Sequence, residues 1–274
     1  MNNFTQRTIT GAVYLITVFC AIMFNPIILS VFFGLIALIS LYEFYDNSKK
    51  TNIITQNILG FSLAITTYCS FVFYAFHIEN TYFIIASLIF CFIIFIFELY
   101  KNKENPFTNI SYTLVAVIYI VIPMGLTNFI VNPTLRLNSF TPILLLSVFI
   151  LAWTNDTFAY LVGVKFGKHR LFERISPKKS WEGFFGGLIA TQIVSIILFK
   201  LTNTSLYFYD WMTIGIIISV IGTYGDLVES MFKRQIGVKD SGKILPGHGG
   251  ILDRFDILFI SIPFIFSYLY LRLN

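Results

Sequence analysis

Long apolar runs follow one another along almost the whole chain, separated by short polar stretches. A helix that crosses the hydrocarbon core of a bilayer needs about 20 apolar residues, because each residue advances it by about 1.5 Å. The pattern therefore predicts an all-α polytopic membrane protein. We predict about nine transmembrane helices, at residues 9–24, 27–45, 55–76, 81–99, 109–131, 142–163, 181–200, 210–231 and 257–273.

Basic residues are distributed unevenly between the polar stretches. With nine spans and a cytoplasmic N-terminus, 16 of the 19 Lys and Arg residues fall in cytoplasmic segments and 3 fall outside. Cytoplasmic loops of membrane proteins carry an excess of Lys and Arg. The split predicts a cytoplasmic N-terminus and a C-terminus on the outside.

The composition agrees with an integral membrane protein. Charged residues make up only 12% of the chain, against about 25% in soluble domains, and the mean hydropathy is +0.77. Because the basic residues follow the loops, we interpret the net charge of +5 as a topology signal and predict no nucleic-acid partner. Cys20, Cys69 and Cys91 lie inside apolar runs, which argues against disulfides and zinc.

The two parts of the chain differ in their polar content. Residues 1–140 are apolar spans joined by short turns, and we expect them to serve as a scaffold, an oligomerisation surface or a lipid-facing surface. Residues 141–274 carry two long basic segments, 164–180 and 232–256, and most of the acids within apolar runs. We therefore predict a C-terminal catalytic transmembrane domain whose active site faces the cytoplasm.

Acidic residues inside apolar runs indicate function, because an unpaired charge within the bilayer costs several kcal/mol. Six acids of the second half meet this description: Asp156, Glu182, Asp226, Glu229, Asp253 and Asp256. Glu43 and Glu98 lie near span ends, where the interface is within reach, and we expect a structural or anchoring role for them.

The stretch "GDLVESMFKR" places four polar side chains on one helical face. Asp226, Glu229, Ser230 and Lys233 are spaced i, i+3, i+4 and i+7. One interpretation is a stripe of salt bridges in which Asp226 or Glu229 pairs with Lys233. The other is a wall of a polar site inside the membrane.

The stretch "LDRFD" adds two acids on one face of the last span, Asp253 and Asp256. The positive end of a helix dipole accounts for one such acid, but less well for two. Together with Asp226 they offer the oxygen ligands that Mg²⁺ prefers. We predict that these three residues hold a divalent cation.

Two basic loops surround these acids. Lys178 and Lys179 end the sixth-to-seventh loop, where they provide either a phosphate clamp or only a topology and lipid-attracting signal. His248, in "PGHGG", is a candidate phosphate contact or acid–base group, or a loop-structuring residue. Asn155 and Asp156 interrupt the sixth span, and we expect both to face one cavity.

The residues alone thus indicate a membrane-embedded, metal-dependent enzyme that acts on phosphorylated substrates. A transporter or proton channel would also carry acids within its spans. Transporters usually show repeats and broken helices in both halves, whereas these acids are concentrated in one half.

Residues 230–256, "SMFKRQIGVKDSGKILPGHGGILDRFD", resemble the signature of the phosphatidate cytidylyltransferase family, also called CDP-diglyceride synthetases. The family pattern has S-x-apolar-K-R, K-D-x-small and H-G-G-apolar-x-D-R-x-D at set spacings, and every fixed position matches. "NDTFAYLVGVKFGKHRL", "ISPKKSWEGFFGG" and "GDLVES" resemble further family blocks in the same order. The resemblance covers about residues 150–274.

The resemblance implies a reaction in phospholipid biosynthesis, in which CTP and phosphatidate give CDP-diacylglycerol and pyrophosphate with Mg²⁺, in the cytoplasmic (inner) membrane of a bacterium. It implies metal binding by Asp226, Asp253 and Asp256, with room for a second, monovalent cation, and it leaves a homodimer open. Lys233 and Arg254 join these acids as catalytic candidates. The substrate-binding candidates are Lys178, Lys179, Arg234, Lys239, Ser230, His248, Asp156 and Glu182.

Two other classes of lipid enzyme are alternatives to this resemblance. Enzymes that consume CDP-diacylglycerol carry a D-G-x-x-A-R pattern, which is absent from the chain. A CTP-dependent polyprenol kinase remains open on chemistry alone, and the choice of acceptor, an isoprenoid alcohol or phosphatidate, distinguishes it.

Overall fold

The computed structural model describes residues 3–78, 80–131, 140–242, 244–245, 247 and 249–273. Over these residues the chain is almost entirely helical, as the apolar pattern predicts. The helices are α1 (Asn3–Met23), α2 (Pro26–Ser48), α3 (Asn57–Ala75), α4 (Tyr82–Leu99), α5 (Pro106–Ala116), α6 (Ile122–Val131), α7 (Pro142–Phe166), α8 (Trp181–Leu201), α9 (Phe208–Gln235) and α10 (Leu252–Leu273). A short 3₁₀ turn, Lys49–Thr51, follows α2.

Eight helical segments among the described residues are long and apolar enough to cross a membrane. One of them, Pro106–Val131, is continuous through α5, a π-helical turn and α6. The apolar part of α1, Thr8–Met23, is a shorter apolar helix. The expected all-α membrane fold is confirmed, whereas the orientation of the helices across the bilayer stays a prediction.

Local sequence signals account for the ends of several helices. Asn25 caps α2 by accepting a hydrogen bond from the Ile27 amide at 2.7 Å, and Pro26 occupies the first helical position. Ser180 caps α8 by accepting from the Gly183 amide at 3.2 Å. Such caps satisfy backbone N–H groups that have no partner within the helix.

A five-residue π-helical turn, Val117–Val121, interrupts the fifth span. Pro123 follows it and cannot donate a backbone hydrogen bond to the preceding turn, which favours a local change of winding. The apolar pattern gives no sign of this turn, because its residues are as apolar as their neighbours.

A small β-hairpin stands in the segment where the sequence analysis predicted only a loop. Strand β1 (Arg170–Phe172) pairs antiparallel with β2 (Ser176–Ser180). Glu182 stabilises the start of the hairpin, because its carboxylate accepts a hydrogen bond from the Lys168 amide at 3.1 Å and lies 2.6 Å from the His169 ring nitrogen Nδ1. The hairpin holds the basic residues of this segment directly before α8.

Consecutive helices of the second half pack side by side: α7 on α8, α8 on α9 and α9 on α10. Small residues permit the closest approach, since a Cβ at Gly183 would lie 2.6 Å from the Ala159 carbonyl oxygen. Helices α2 and α6 pack against each other and against α10. The proposed boundary between residues 140 and 141 lies between α6 and α7, and the two-domain division stays a prediction.

Candidate active site

Three carboxylates meet where α9 packs against α10. Asp226 and Glu229 extend from α9 and Asp256 from α10, and one oxygen of each lies within 4.8 Å of the others. Gly225 makes this approach possible, because a Cβ there would lie 2.7 Å from the Asp256 carbonyl oxygen. We call Asp226, Glu229 and Asp256 the acid cluster.

Two lysines neutralise part of this negative charge. Lys233 Nζ lies 2.6 Å from Glu229 and 2.7 Å from Asp253, and Lys179 of β2 forms an ion pair with Asp226. The salt bridge expected within the α9 stripe is therefore present. These two ion-paired lysines lie beside four carboxylates, those of Asp226, Glu229, Asp253 and Asp256, so one salt-bridge stripe along α9 does not account for the whole arrangement.

The acid cluster has the donor set that a hard divalent cation requires. Glu229 is fully buried, and its contact with Lys233 is an ion pair without hydrogen-bonding geometry. Neither of its oxygens accepts a hydrogen bond from the described residues. A buried carboxylate is costly without compensation, and three clustered carboxylates fit Mg²⁺, which takes oxygen ligands.

Asp253 lies beside the acid cluster but has a different set of partners. Its Oδ2 accepts from the Ser241 amide at 2.9 Å, the Ser241 hydroxyl at 2.9 Å and the Gly250 amide at 2.8 Å, and its Oδ1 accepts from Lys233. The structure thus brings Asp226 and Asp256 together with Glu229 rather than with Asp253. The metal-binding role expected for Asp253 stays a prediction.

Glu43 connects the first half of the chain to the signature loop, which we define as residues 236–251. Its carboxylate is 3% exposed and accepts from the Ile251 amide at 3.1 Å and the Leu252 amide at 2.8 Å. It also lies 3.2 Å from the Ser241 hydroxyl, whose single proton Glu43 and Asp253 share. A carboxylate at the N-terminus of α10 is stabilised by the unpaired N–H groups and the helix dipole. Glu43 thus has structural partners, as the sequence analysis expected, and its carboxylate is buried within the protein.

Glu98 is a second buried carboxylate of the first half, remote from the signature loop. It accepts from Gln56 Nε2 at 2.6 Å and Asn109 Nδ2 at 2.8 Å, and it is 4% exposed. These contacts join α3, α4 and α5. Glu98 thus also has structural partners, as expected, and it is buried within the protein.

The remaining basic candidates lie around the acid cluster and the hairpin. Arg234 donates to the Ile175 carbonyl at 3.4 Å, which ties the end of α9 to the hairpin. Lys178, Lys239 and Arg254 are exposed. Their positions leave them accessible to a phosphorylated ligand, and their individual roles stay predictions.

The other polar candidates have varied positions. Ser230 donates to Asp226 Oδ1 at 3.3 Å, beside the acid cluster. The Glu182 carboxylate contacts the Lys168 amide and the His169 ring beside the hairpin, as described above. Its oxygens therefore already have structural partners in this segment. His248 lies outside the described residues.

Asp156 and Asn155 point in different directions, contrary to the expectation that both face one cavity. Asp156 lines a cavity of about 210 Å³ together with Asp253, Arg254 and Asp256. Asn155 is buried against α8, where a Cβ at Gly187 would lie 2.7 Å from its Oδ1. Successive residues of an α-helix are about 100° apart around its axis, so the side chains of Asn155 and Asp156 on α7 face different surroundings.

Tyr119 is a polar group near the site that the sequence analysis did not single out. Its ring packs against Phe259, one turn beyond Asp256, with ring centroids 5.4 Å apart. Its buried hydroxyl has no hydrogen-bond partner among the described residues. The only feature of the sequence that pointed to Tyr119 was a tyrosine within an apolar run. The pattern of apolar residues gives no sign of the π-helical turn in which Tyr119 lies.

Replacing Gly225 tests whether the approach of α9 to α10 builds the acid cluster. We expect Gly225→Ala to cost about 1–3 kcal/mol of stability, because the new methyl group overlaps the Asp256 carbonyl. Thermal unfolding in detergent measures this, with Tyr224→Ala as the control, since Tyr224 is 53% exposed on the same helix. Equal unfolding temperatures for the two variants would contradict the tight contact.

Comparison with known proteins places this geometry in context. Residues 5–272 match the model of the Cytidylyltransferase family. A Haemophilus influenzae relative named phosphatidate cytidylyltransferase is 33% identical over 97% of this chain and 98% of its own length.

Relatives with the same name from Staphylococcus haemolyticus and Staphylococcus aureus are 50% identical over 43% of the chain. These two matches span 46% of each relative, which is less than half of its length.

Proposed function

Because the chain belongs to the Cytidylyltransferase family, a family of nucleotidyltransferases, we propose that it transfers the cytidylyl group of CTP to phosphatidate. The products are CDP-diacylglycerol and pyrophosphate, and the reaction belongs to phospholipid biosynthesis. The observation that carries the proposal is the match to the Haemophilus influenzae relative, which extends over almost the full length of both proteins. The arrangement of acids and lysines between α9, α10 and β2 supports it.

The chemistry explains why the site is built from charges rather than from a strong general base. A phosphate oxygen of phosphatidate attacks the α-phosphorus of CTP, and the bond from that phosphorus to the bridging oxygen of pyrophosphate breaks. The attacking phosphate is already anionic near neutral pH, so no proton has to be removed first. The barrier lies in bringing two anions together and in stabilising the charge on the leaving group.

Asp226, Glu229 and Asp256 would hold Mg²⁺, in agreement with the buried Glu229 carboxylate, which pairs with Lys233 but accepts no hydrogen bond from the described residues. When bound, the cation neutralises phosphate charge and favours departure of pyrophosphate. In this proposal Glu229 takes the place in the metal site that the sequence analysis gave to Asp253. Asp253 instead positions the signature loop, and its carboxylate also orients Lys233. A second, monovalent cation stays part of the proposal.

The basic residues serve to bind phosphate groups. Lys179 and Lys233 are held beside the acid cluster by their ion pairs, so their ammonium groups are oriented before substrate binds. Lys178, Arg234, Lys239 and Arg254 are more exposed than these two lysines, and we propose that they complete the phosphate-binding surface. Fixed cations of this kind attract polyanions and orient them.

We propose that the site faces the cytoplasm in an inner membrane, where soluble CTP and a lipid phosphate both have access. The distribution of Lys and Arg along the sequence supports this orientation. Assembly as a homodimer stays a prediction.

A turnover assay with labelled CTP tests the proposed function. The purified protein is incubated with Mg²⁺ and either phosphatidate, an isoprenoid alcohol or no acceptor, and products are separated by chromatography. We expect labelled CDP-diacylglycerol and one pyrophosphate per turnover only with phosphatidate. A phosphorylated isoprenoid, or no product with any acceptor, would refute the proposal.

A further inference from the structure

Tyr119 lies in the π-helical turn between α5 and α6, in the fifth span of the membrane. Its neighbours in that turn, Val117, Ile120 and Val121, are buried and apolar. Turns of this kind are rare inside helices and frequently occur at functional sites, because the wider winding turns a side chain toward a new neighbour without ending the helix. The span thus carries a single hydroxyl in its wider turn.

The ring of Tyr119 packs against the face of α10 that carries Asp256. Its centroid is 5.4 Å from that of Phe259. Phe259 follows Asp256 by three residues, so the two side chains share one helical face. The carboxylates of Asp256, Glu229 and Asp226 act electrostatically on the Tyr119 hydroxyl, and these three residues are the acid cluster. The first half of the chain therefore places a hydroxyl beside the acids of α9 and α10.

The Tyr119 hydroxyl is buried and has no hydrogen-bond partner among the described residues, so no carboxylate of the acid cluster accepts from it directly. A buried hydroxyl without a partner costs free energy, and a phenylalanine would pack against Phe259 without that cost. A water molecule between the hydroxyl and the acid cluster would remove it. Mg²⁺ in proteins usually keeps several of its water molecules, so a cation held by the acid cluster supplies such a water.

We infer that Tyr119 is a positioning residue of the cation site, whose hydroxyl holds a water molecule of the cation's hydration shell. The inference rests on the proposed function, because it extends the divalent-cation site of the proposed reaction. Groups that hydrogen-bond to the shell of a bound metal orient that shell and strengthen binding. The acid cluster supplies the charge from α9 and α10, and Tyr119 orients a water from the turn between α5 and α6. The first half of the chain then takes part in cation binding.

Binding of Mn²⁺ to the purified protein without substrates tests this inference, because it requires no turnover. Electron paramagnetic resonance measures the free ion and gives the dissociation constant for the unaltered protein, Tyr119→Phe and Tyr68→Phe. Each change removes only the hydroxyl of a partly buried tyrosine. Tyr68 is the matched control, because its hydroxyl donates to the Ser30 carbonyl at 2.6 Å and accepts from Asn128 at 3.3 Å. Thermal unfolding of each protein without metal reports on stability.

We expect Tyr119→Phe to raise the dissociation constant for Mn²⁺ by about tenfold, since loss of an outer-shell partner weakens metal binding by about this factor or more. Its unfolding temperature without metal should not fall, because the hydroxyl has no protein partner to lose. Tyr68→Phe should show the opposite pattern: it binds Mn²⁺ like the unaltered protein but unfolds at a lower temperature, because it loses hydrogen bonds.

The two possible failures are distinguishable. The role of Tyr119 is overturned if Tyr119→Phe binds Mn²⁺ as tightly as the unaltered protein does, or if both variants weaken binding equally. If the unaltered protein binds no Mn²⁺, the proposed cation site is itself refuted, and the role of Tyr119 with it.

Discussion

Asp256→Asn is expected to lower Mg²⁺-dependent turnover by at least about a hundredfold, because loss of a cation ligand removes several kcal/mol of transition-state stabilisation. The change preserves the size of the side chain and removes one charge from the acid cluster. Without Mg²⁺ the variant should unfold at the same or a higher temperature than the unaltered protein, because fewer like charges repel each other within the acid cluster. Loss of activity without loss of stability would indicate that Asp256 serves the reaction and not the folding of the protein.

Asp253→Asn provides the comparison for this prediction. Because Asp253 holds Ser241 and Gly250 of the signature loop, we expect this variant to lose stability together with activity. Titration of turnover with Mg²⁺ separates the two acids: the half-saturating concentration should rise for Asp256→Asn and change little for Asp253→Asn. If the half-saturating Mg²⁺ concentration instead rises for Asp253→Asn and changes little for Asp256→Asn, then Asp253 binds the cation and Asp256 does not.

Glu43→Ala is expected to destabilise the protein by about 2–4 kcal/mol and to abolish most turnover, because the buried Ile251 and Leu252 amides lose a charged acceptor. Glu43→Gln keeps the shape and one acceptor oxygen but removes the charge at the start of α10. We expect it to retain the fold and to lose turnover by about tenfold, since the signature loop is then held less rigidly.

Glu98→Gln is the matched control for Glu43→Gln. Both glutamates are almost fully buried in the first half of the chain and accept hydrogen bonds from uncharged donors. Thermal unfolding should be affected to a similar degree in the two variants, whereas KM and kcat should change only for Glu43→Gln. Equal kinetic effects in both variants would show that Glu43 acts through general stability and not through the loop.

The sequence predicted those features of the fold that depend on local composition. Long apolar runs gave the helices, and the helical spacing of Asp226, Glu229 and Lys233 correctly placed them on one face. A run of about 20 apolar residues has few alternatives in a membrane, since every backbone polar group must be satisfied internally.

Features that depend on the partner of a side chain could not be predicted in this way. Asp253 and Asp256 share a helical face by spacing, but their oxygens meet different groups, and only tertiary packing decides this. The contact of Glu43 with Leu252 joins residues 209 positions apart, so no local pattern carries it. The hairpin and the π-helical turn were missed because neither has a distinctive hydrophobic period in this chain.

Crystallography with Mn²⁺ in place of Mg²⁺ tests the central claim most directly, because the anomalous signal of Mn²⁺ locates the ion independently of any assay. The account predicts an anomalous peak within about 2.0–2.6 Å of carboxylate oxygens of Asp226, Glu229 and Asp256, and its loss in Asp256→Asn. A peak held by Asp253 without Asp256, or no peak in crystals of protein that turns over substrate with Mn²⁺, would contradict it.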